Sequence, residues 1–218
     1  MSDADSFIEE VTEEVKRDRL FAAMRKYGWI AVLIVLALVG GTAWREYSRA
    51  QETAAAQAFG DAIIAADGKE GAARAEALAG IEAPSAQAEV VAEMLAAQAE
   101  ADAGETEAAV TRLRMLAGRT EVPAIYRQIA EFKALLIGTK TLPAEERREG
   151  FDALAVAGQP LRLLAEEQLA LIDIETGETE AALTRLNALL DDAEITAGLR
   201  QRASQLIVAL GGTLPEPA

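Results

Sequence analysis

The hydrophobic pattern of the chain changes once, after residue 44. Residues 27–44 contain no charged side chain, and the eleven residues from Trp29 to Val39 contain no polar one. Beyond this run, apolar residues recur at helical spacing, and alanine, leucine and glutamate dominate. The pattern therefore predicts an all-α protein, in which one N-terminal transmembrane helix precedes a series of amphipathic helices.

The uncharged run has the length and the flanking residues of a membrane span. From Tyr27 to Trp44 a helix extends about 27 Å, close to the roughly 30 Å of a bilayer's hydrocarbon core. Tyr27 and Trp29 border one end of the run, and Trp44 and Tyr47 border the other. Aromatic residues at both ends are typical of the two membrane interfaces.

The same run has other interpretations. A buried core helix is disfavoured because the rest of the chain offers no apolar layer to cover it on all sides. A cleaved signal peptide stays possible, because residues 41–43 read Gly-Thr-Ala and place small residues where a signal peptidase cuts. A retained span is favoured by the 26 residues that precede it and by Trp44 after it. Ala37 and Gly41 would then form a small-xxx-small pair able to pack against another membrane helix.

Basic residues are distributed unequally around the span. Five precede it and two follow it within twenty residues: Lys16, Arg17, Arg19, Arg25 and Lys26, against Arg45 and Arg49. By the positive-inside rule the N-terminus lies in the cytoplasm and the part after the span lies on the other side, in the periplasm of a Gram-negative cell. We therefore expect a cytoplasmic amphipathic segment at 1–26, a transmembrane helix at 27–44, a linking helix with the first repeat helix at 45–67, and a repeat domain at 68–218.

The part after the span contains an internal repeat. The sequence GETEAAVTRL at 104–113 recurs as GETEAALTRL at 177–186, 73 residues later. Further identical residues recur at the same offset: Ala92-Glu93 as Ala165-Glu166, Arg127-Gln128 as Arg200-Gln201, Ala130 as Ala203, and Gly138 as Gly211. This offset is close to two units of a helical-hairpin repeat of about 34 residues.

Four glycines separate the predicted helices within the hairpins. Gly68, Gly104, Gly138 and Gly177 each follow an apolar-periodic segment and precede an acidic helix start, as a glycine at a helix C-terminus does. The predicted helices cover about 46–66, 69–80, 86–103, 105–117, 124–137, 144–156, 161–175, 178–190 and 197–210.

Relative to these glycines, small and large residues occupy regular positions. Small residues lie seven before and five after the glycine, and leucine lies nine after it: Ala97 and Ala170, Ala73, Ala109 and Ala182, and Leu113 and Leu186. Small residues allow paired helices to approach closely. In these positions the chain resembles tetratricopeptide repeats, in a degenerate form that lacks most of the early aromatic residues and the regular closing proline.

The whole arrangement also resembles a narrower family, the ancillary subunit of the bacterial Sec translocon. The resemblance rests on Tyr27-Gly28 before the span, on residues 44–47 (Trp-Arg-Glu-Tyr) after it, and on the four degenerate repeats that follow. It implies a bacterial inner-membrane protein with one span, a periplasmic repeat domain that assists exported proteins, and as partners the translocon, a membrane-anchored periplasmic chaperone and exported clients.

Composition excludes several classes of function. The chain has 36 acidic and 21 basic residues, a net charge of −15, and neither cysteine nor histidine. Such a charge repels nucleic acid, and the missing residue types remove thiol nucleophiles, imidazole bases and the usual zinc ligands. No phosphate loop or dinucleotide motif is present. We expect a protein that is not an enzyme, that needs no cofactor or metal and that does not act on a small molecule.

Recognition of a protein partner remains. Tyr126, Arg127 and Gln128 lie on the first helix of a predicted hairpin, and Arg200 and Gln201 are their counterparts on the closing helix. First helices line the concave surface of such repeats, where peptides commonly bind. These five residues are the candidate partner-binding residues, although a solvated remnant of the duplication would show the same pattern. One hypothesis is that the protein is an accessory factor of protein export, with partners in the export machinery. The alternative is that it is a structural subunit of another membrane complex.

Overall fold

The computed structural model describes the backbone of residues 3–214 and the side chains of residues 24–214, apart from that of Ala31. The chain divides into two compact units, Met1–Gln57 and Ala58–Ala218. In the described part all regular structure is helical, as the sequence predicts. The α-helices are α1 (Asp3–Asp67), α2 (Gly71–Ala79), α3 (Ala86–Asp102), α4 (Thr106–Ala117), α5 (Ala124–Ile137), α6 (Ala144–Leu154), α7 (Arg162–Glu175), α8 (Thr179–Asp191) and α9 (Ala197–Ala209).

The apolar run lies within the long helix α1 and is not covered by the chain. Within the described residues, α1 is the one helix that is long and apolar enough to cross a membrane, and none of its apolar window is buried. Trp29 and Trp44 are 62% and 72% exposed, and Tyr27 and Tyr47 are similarly open. A Cβ added at Gly41 would meet no atom within 4 Å. These exposures argue against the core-helix interpretation. The predicted segment 1–26 is helical from residue 3, but its side chains up to residue 23 lie outside the described residues.

In the second unit, consecutive helices share a series of small apolar cores. The last turns of α1 pack with α2 and α3 around Leu78, and α3, α4 and α5 pack around Leu113. The next core joins α5, α6 and α7 around Phe151, and the last joins α7, α8 and α9 around Leu186. Each core thus joins neighbours in sequence, which is the arrangement of a helical-hairpin solenoid.

The predicted repeat frame is correct in both copies of the duplicated segment. The small residues and leucines predicted to lie between helices are all fully buried, with 0% exposure: Ala97, Ala109, Leu113, Ala170, Ala182 and Leu186. The frame is wrong in the first hairpin. There Ala73 is exposed, whereas Ala75 and Leu78 are buried. The reason is that α2 begins three residues after Gly68, while α4 and α8 begin two residues after their glycines.

Two of the four predicted helix-ending glycines adopt the expected conformation. Gly104 and Gly177 have φ angles of +85° and +82°. The amide after each, that of Glu105 or Glu178, donates to a carbonyl in the preceding helix at 2.8 and 2.7 Å, as in a Schellman motif. Gly68 directly follows the last residue of α1, as predicted, but it lacks the left-handed conformation, and the positive φ of +56° falls on Gly71 instead.

Gly138 is also not a left-handed helix terminator. Its φ angle is −72°, and it begins a short 3₁₀ turn at Gly138–Lys140. A Cβ at this position would come within 2.5 Å of the side chain of Leu142. The glycine is therefore required by close packing rather than by backbone conformation.

Candidate protein-interaction surface

An arginine joins the two helices of the second hairpin. Arg112 on α4 donates to Glu100 on α3 at 2.6 Å and to Glu93 on α3 at 2.7 Å. Glu100 is only 7% exposed. Its hydrogen bonds with Arg112 raise the pKa of the guanidinium above its ordinary value. Because the acids lie on one helix and the arginine on the other, the cluster holds the hairpin together.

The fourth hairpin contains the same cluster, 73 residues later. Arg185 on α8 donates to Glu166 at 2.5 Å and to Asp173 at 3.2 Å, both on α7. Asp173 is 1% exposed and accepts a hydrogen bond from a second arginine, Arg148 of α6. The pair with Asp173 raises the pKa of Arg148. Asp173 therefore ties three helices together, one more than Glu100 does.

A further ion pair recurs with its charges exchanged. In the first copy Arg119 donates to Glu89 at 2.6 Å. At the equivalent positions Arg162 donates to Asp192 at 2.8 Å. The Arg162 guanidinium, and next the amide of Glu194, lower the pKa of Asp192 below its ordinary value. The two halves thus retain the contact although its polarity is reversed.

These charged groups have structural partners rather than catalytic ones. Of the charged residues buried in the second unit, Arg147 donates to both oxygens of Glu175 at 2.7 Å, and Glu167 accepts from Arg202 at 2.6 and 2.7 Å. Among the described residues no group of three or more acidic side chains is arranged to hold a metal ion. The charged clusters join helices to one another, and the surface beside each cluster remains open to a partner.

Two grooves lie beside the duplicated clusters. The first groove has a volume of about 510 Å³, and its lining includes Glu93, Glu107, Ala108, Thr111, Arg112 and Met115. The second groove has a volume of about 630 Å³, and its lining includes Glu166, Glu180, Ala181, Thr184, Arg185 and Ala188. Each residue of the second list lies 73 positions after its counterpart in the first. The two grooves therefore share most of one surface and differ in charge where Arg119 corresponds to Asp192.

The predicted binding residues of α5 lie elsewhere. Tyr126 is 38% exposed and lines a depression of about 90 Å³ together with Val90 and Arg119. Arg127 is partly buried, and its Nε has no hydrogen-bond partner among the described residues. Gln128 donates to Gln159 at 2.6 Å. Tyr126 thus offers an open aromatic face, whereas Gln128 is occupied by another side chain.

The counterparts on α9 have different surroundings. Arg200 is exposed and donates to the carbonyl of Leu190 at 2.9 Å, at the C-terminal end of α8. Gln201 is exposed. The residue equivalent to Tyr126 is Leu199, which is buried in the last core. The pattern Tyr-Arg-Gln is therefore not repeated as a surface, and only Arg200 and Gln201 of the second copy are open to a partner.

Sequence reasoning missed the grooves, although a signal for them was present. The segments 104–113 and 177–186, which differ only at Val110 and Leu183, contain residues that no buried contact requires. Glu107, Ala108 and Thr111 are exposed, and so are their three counterparts. These identities at exposed positions, with the groove lining they share, were the signal for a common surface.

An exposed apolar helix followed by helical hairpins places the chain among helical-repeat proteins with an apolar N-terminal helix. A family model described as a tetratricopeptide repeat-like domain matches residues 24–138, more than half of the chain. The chain belongs to the tetratricopeptide repeat-like domain family. Repeat domains of this kind are in general protein-interaction modules and not enzymes. No curated protein and no solved structure gives a significant match to the chain.

Proposed function

We propose that this protein is a membrane-anchored interaction subunit that assists protein export or folding at the periplasmic side of the Sec translocon. The observation that carries the proposal is an uncovered apolar helix in a chain that also holds a tetratricopeptide-like repeat domain. An apolar helix with exposed side chains needs a lipid environment. The particular system follows from the resemblance of Tyr27-Gly28 and of the segment 44–47 to the translocon's ancillary subunit.

The partners in this proposal are proteins that meet the chain in two places. In the bilayer, Ala37 and Gly41 offer a flat surface for the helix of a membrane partner, such as the translocon or a membrane-anchored periplasmic chaperone. In the periplasm, the repeat domain contacts exported clients. Tyr126 and Arg127, with Arg200 and Gln201, are the predicted contacts, because an aromatic face and a planar guanidinium are enriched at protein interfaces.

Site-specific photocrosslinking in native membranes tests this proposal. A photoreactive residue in place of Ile34, which is exposed one helical turn before Ala37 on the same side of α1, should crosslink to a translocon subunit or its chaperone. One in place of Tyr126 should crosslink to newly exported chains. Arresting export should reduce the second product and leave the first. A photoreactive residue in place of Glu52 serves as a control, because this side chain is exposed on α1 outside the apolar run. A single stoichiometric product from another envelope complex would instead identify a structural subunit of that complex.

A further inference from the structure

The two grooves share more than their shape. Of the six lining positions named for the first groove, five have the identical residue in the second: Glu93, Glu107, Ala108, Thr111 and Arg112 recur as Glu166, Glu180, Ala181, Thr184 and Arg185. Met115 changes to alanine, and Arg119, which also lines the first groove, corresponds to Asp192 in the second, larger groove.

Packing accounts for some of the identities and not for others. Ala109 and Leu113 have no exposure, so their counterparts are constrained by the core. Glu107, Ala108 and Thr111 are exposed in the first groove. Nearby positions of α4 differ from their counterparts in α8, such as Arg114, which corresponds to an asparagine. Three of the retained exposed residues, Glu107, Ala108 and Thr111, thus line the groove, whereas Glu105 is retained outside it.

The charges of the grooves favour a basic ligand. The arginines that line the grooves already have acidic partners: Arg112 and Arg185 donate to the neighbouring helix at 2.5–2.7 Å, Arg119 donates to Glu89, and Arg162 donates to Asp192. Within the described residues, neither Glu107 nor Glu180 lies within 4 Å of a basic side chain. Each groove therefore presents one uncompensated carboxylate beside alanine and threonine, in a chain with a net charge of −15. A lysine or arginine gains from such a position, and an acidic side chain is repelled.

We infer that each groove binds a basic segment of a partner polypeptide, with a lysine or arginine against Glu107 or Glu180 and small side chains along the alanine–threonine stripe. One chain then carries two equivalent sites. A polypeptide with two basic segments would bind both sites, so its apparent affinity would exceed that of either site alone. The inference rests on the proposed role in protein interaction, and it holds for any basic client or subunit, whether or not the translocon is the partner.

Titration calorimetry with the full chain in phosphatidylcholine nanodiscs tests the charge requirement. The probe is a twelve-residue peptide with four lysines among alanine and serine, and the comparison peptide carries glutamate in place of lysine. We expect two equivalent sites for the lysine peptide, none for the glutamate peptide, and weaker binding as salt rises from 50 to 500 mM. The double variant Glu107→Gln with Glu180→Gln should raise Kd about fivefold, which is the scale of one solvent-exposed ion pair at each site.

A matched variant separates the grooves from the overall charge. Glu105→Gln with Glu178→Gln removes the same two charges from exposed positions that are also 73 residues apart and that line neither groove. This control should bind like the unaltered chain. Equal weakening in both double variants would show that the peptide responds to net charge alone and would overturn the inference.

Filling the grooves tests the stoichiometry. Ala181 is exposed, so Ala181→Trp should leave the melting temperature unchanged and reduce the number of peptides bound from two to one. Adding Ala108→Trp should abolish binding. Two peptides still bound to the folded double variant would refute the sites. If the chain binds the lysine peptide but forms no crosslinks to the translocon, only the proposed function is overturned. If it forms those crosslinks but does not bind the peptide, only the inference about the grooves is overturned.

Discussion

Two adjacent alanines of α4 face opposite environments, and the same substitution should affect them very differently. Ala109 has no exposure and lies in the core that joins α3, α4 and α5. Ala108 is exposed in the first groove. Successive residues of a helix point about 100° apart. Replacing each in turn by phenylalanine therefore tests the register of the whole repeat.

The size of the effect follows from what surrounds Ala109. Its neighbours in the core include Ala97, Leu113 and Ala130, each with 0% exposure, so a phenyl ring has no free volume to enter. Overpacking of this kind typically costs about 1–3 kcal/mol. For a domain of this size, each kcal/mol lowers the melting temperature by roughly 2–4 °C, so Ala109→Phe should melt roughly 2–12 °C below the unaltered protein. Ala108→Phe should stay within about 0.5 kcal/mol of it, as surface substitutions do.

Thermal unfolding followed by circular dichroism at 222 nm, with the full chain in non-ionic detergent, measures both variants. The duplication supplies an independent copy of the experiment, because Ala182 is buried and Ala181 is exposed. Ala182→Phe and Ala181→Phe should reproduce the difference. Melting temperatures of Ala109→Phe and Ala108→Phe that agree within about 1 °C would refute the register.

Four further predictions concern topology, the reversed ion pair, its pH dependence and partner binding. A reporter active only in the periplasm should work when fused after the last residue, and protection of residues 45–218 from protease added outside the inner membrane would contradict the orientation. Arg162→Glu should lower the melting temperature, and adding Asp192→Arg should restore it, because Arg119 and Glu89 already form this pair with the charges exchanged. A double variant no more stable than Arg162→Glu alone would refute the equivalence of the two ion pairs. Since Arg162 lowers the pKa of Asp192, their stabilisation should be complete above the ordinary aspartate pKa and lost as pH falls through the lowered value, as acid unfolding with and without the pair would reveal. Tyr126→Ala with Arg127→Ala should weaken partner crosslinking at unchanged helicity, and undiminished crosslinking would move the contact to another surface.

The helices and the duplicated core were predictable because their signals are local. Helical periodicity, an N-terminal acid and a C-terminal glycine are read within one or two turns. The 73-residue offset then transfers any correct assignment from one copy to the other. Accordingly, the predicted bounds of α3, α4, α5, α7 and α8 agree with the structure within about one residue.

The errors arose where one residue type serves two physical needs. A glycine can permit a positive φ or permit close approach, and the sequence does not distinguish the two. At Gly104 the first need applies, with a φ of +85°. At Gly138 the second applies, because Leu142 occupies the space that a Cβ would fill. Near Gly68 the left-handed residue lies three positions later, so the frame shifted and Ala73 was wrongly placed in the core.

The candidate surface was less predictable because exposure depends on the neighbouring helix. Tyr126 and its counterpart Leu199 occupy the same position in the two copies, yet the first is 38% exposed and the second 2%. Arg127 and Arg200 are identical in type and differ in their bonds. Identity at a 73-residue offset therefore predicts a shared backbone position but not a shared contact.

The reversed ion pair indicates which identities carry information about function. Arg119 with Glu89 and Asp192 with Arg162 maintain one contact with exchanged charges, so the fold required the pair and not its polarity. A position under structural demand alone can change in this way, provided that its partner changes too. Glu107 has no such partner within the described residues, is exposed, and nevertheless recurs unchanged as Glu180. Each of these carboxylates lies in the first turn of its helix, where it stabilises the helix N-terminus, and each also lines a groove, where its charge is open to a ligand outside the chain.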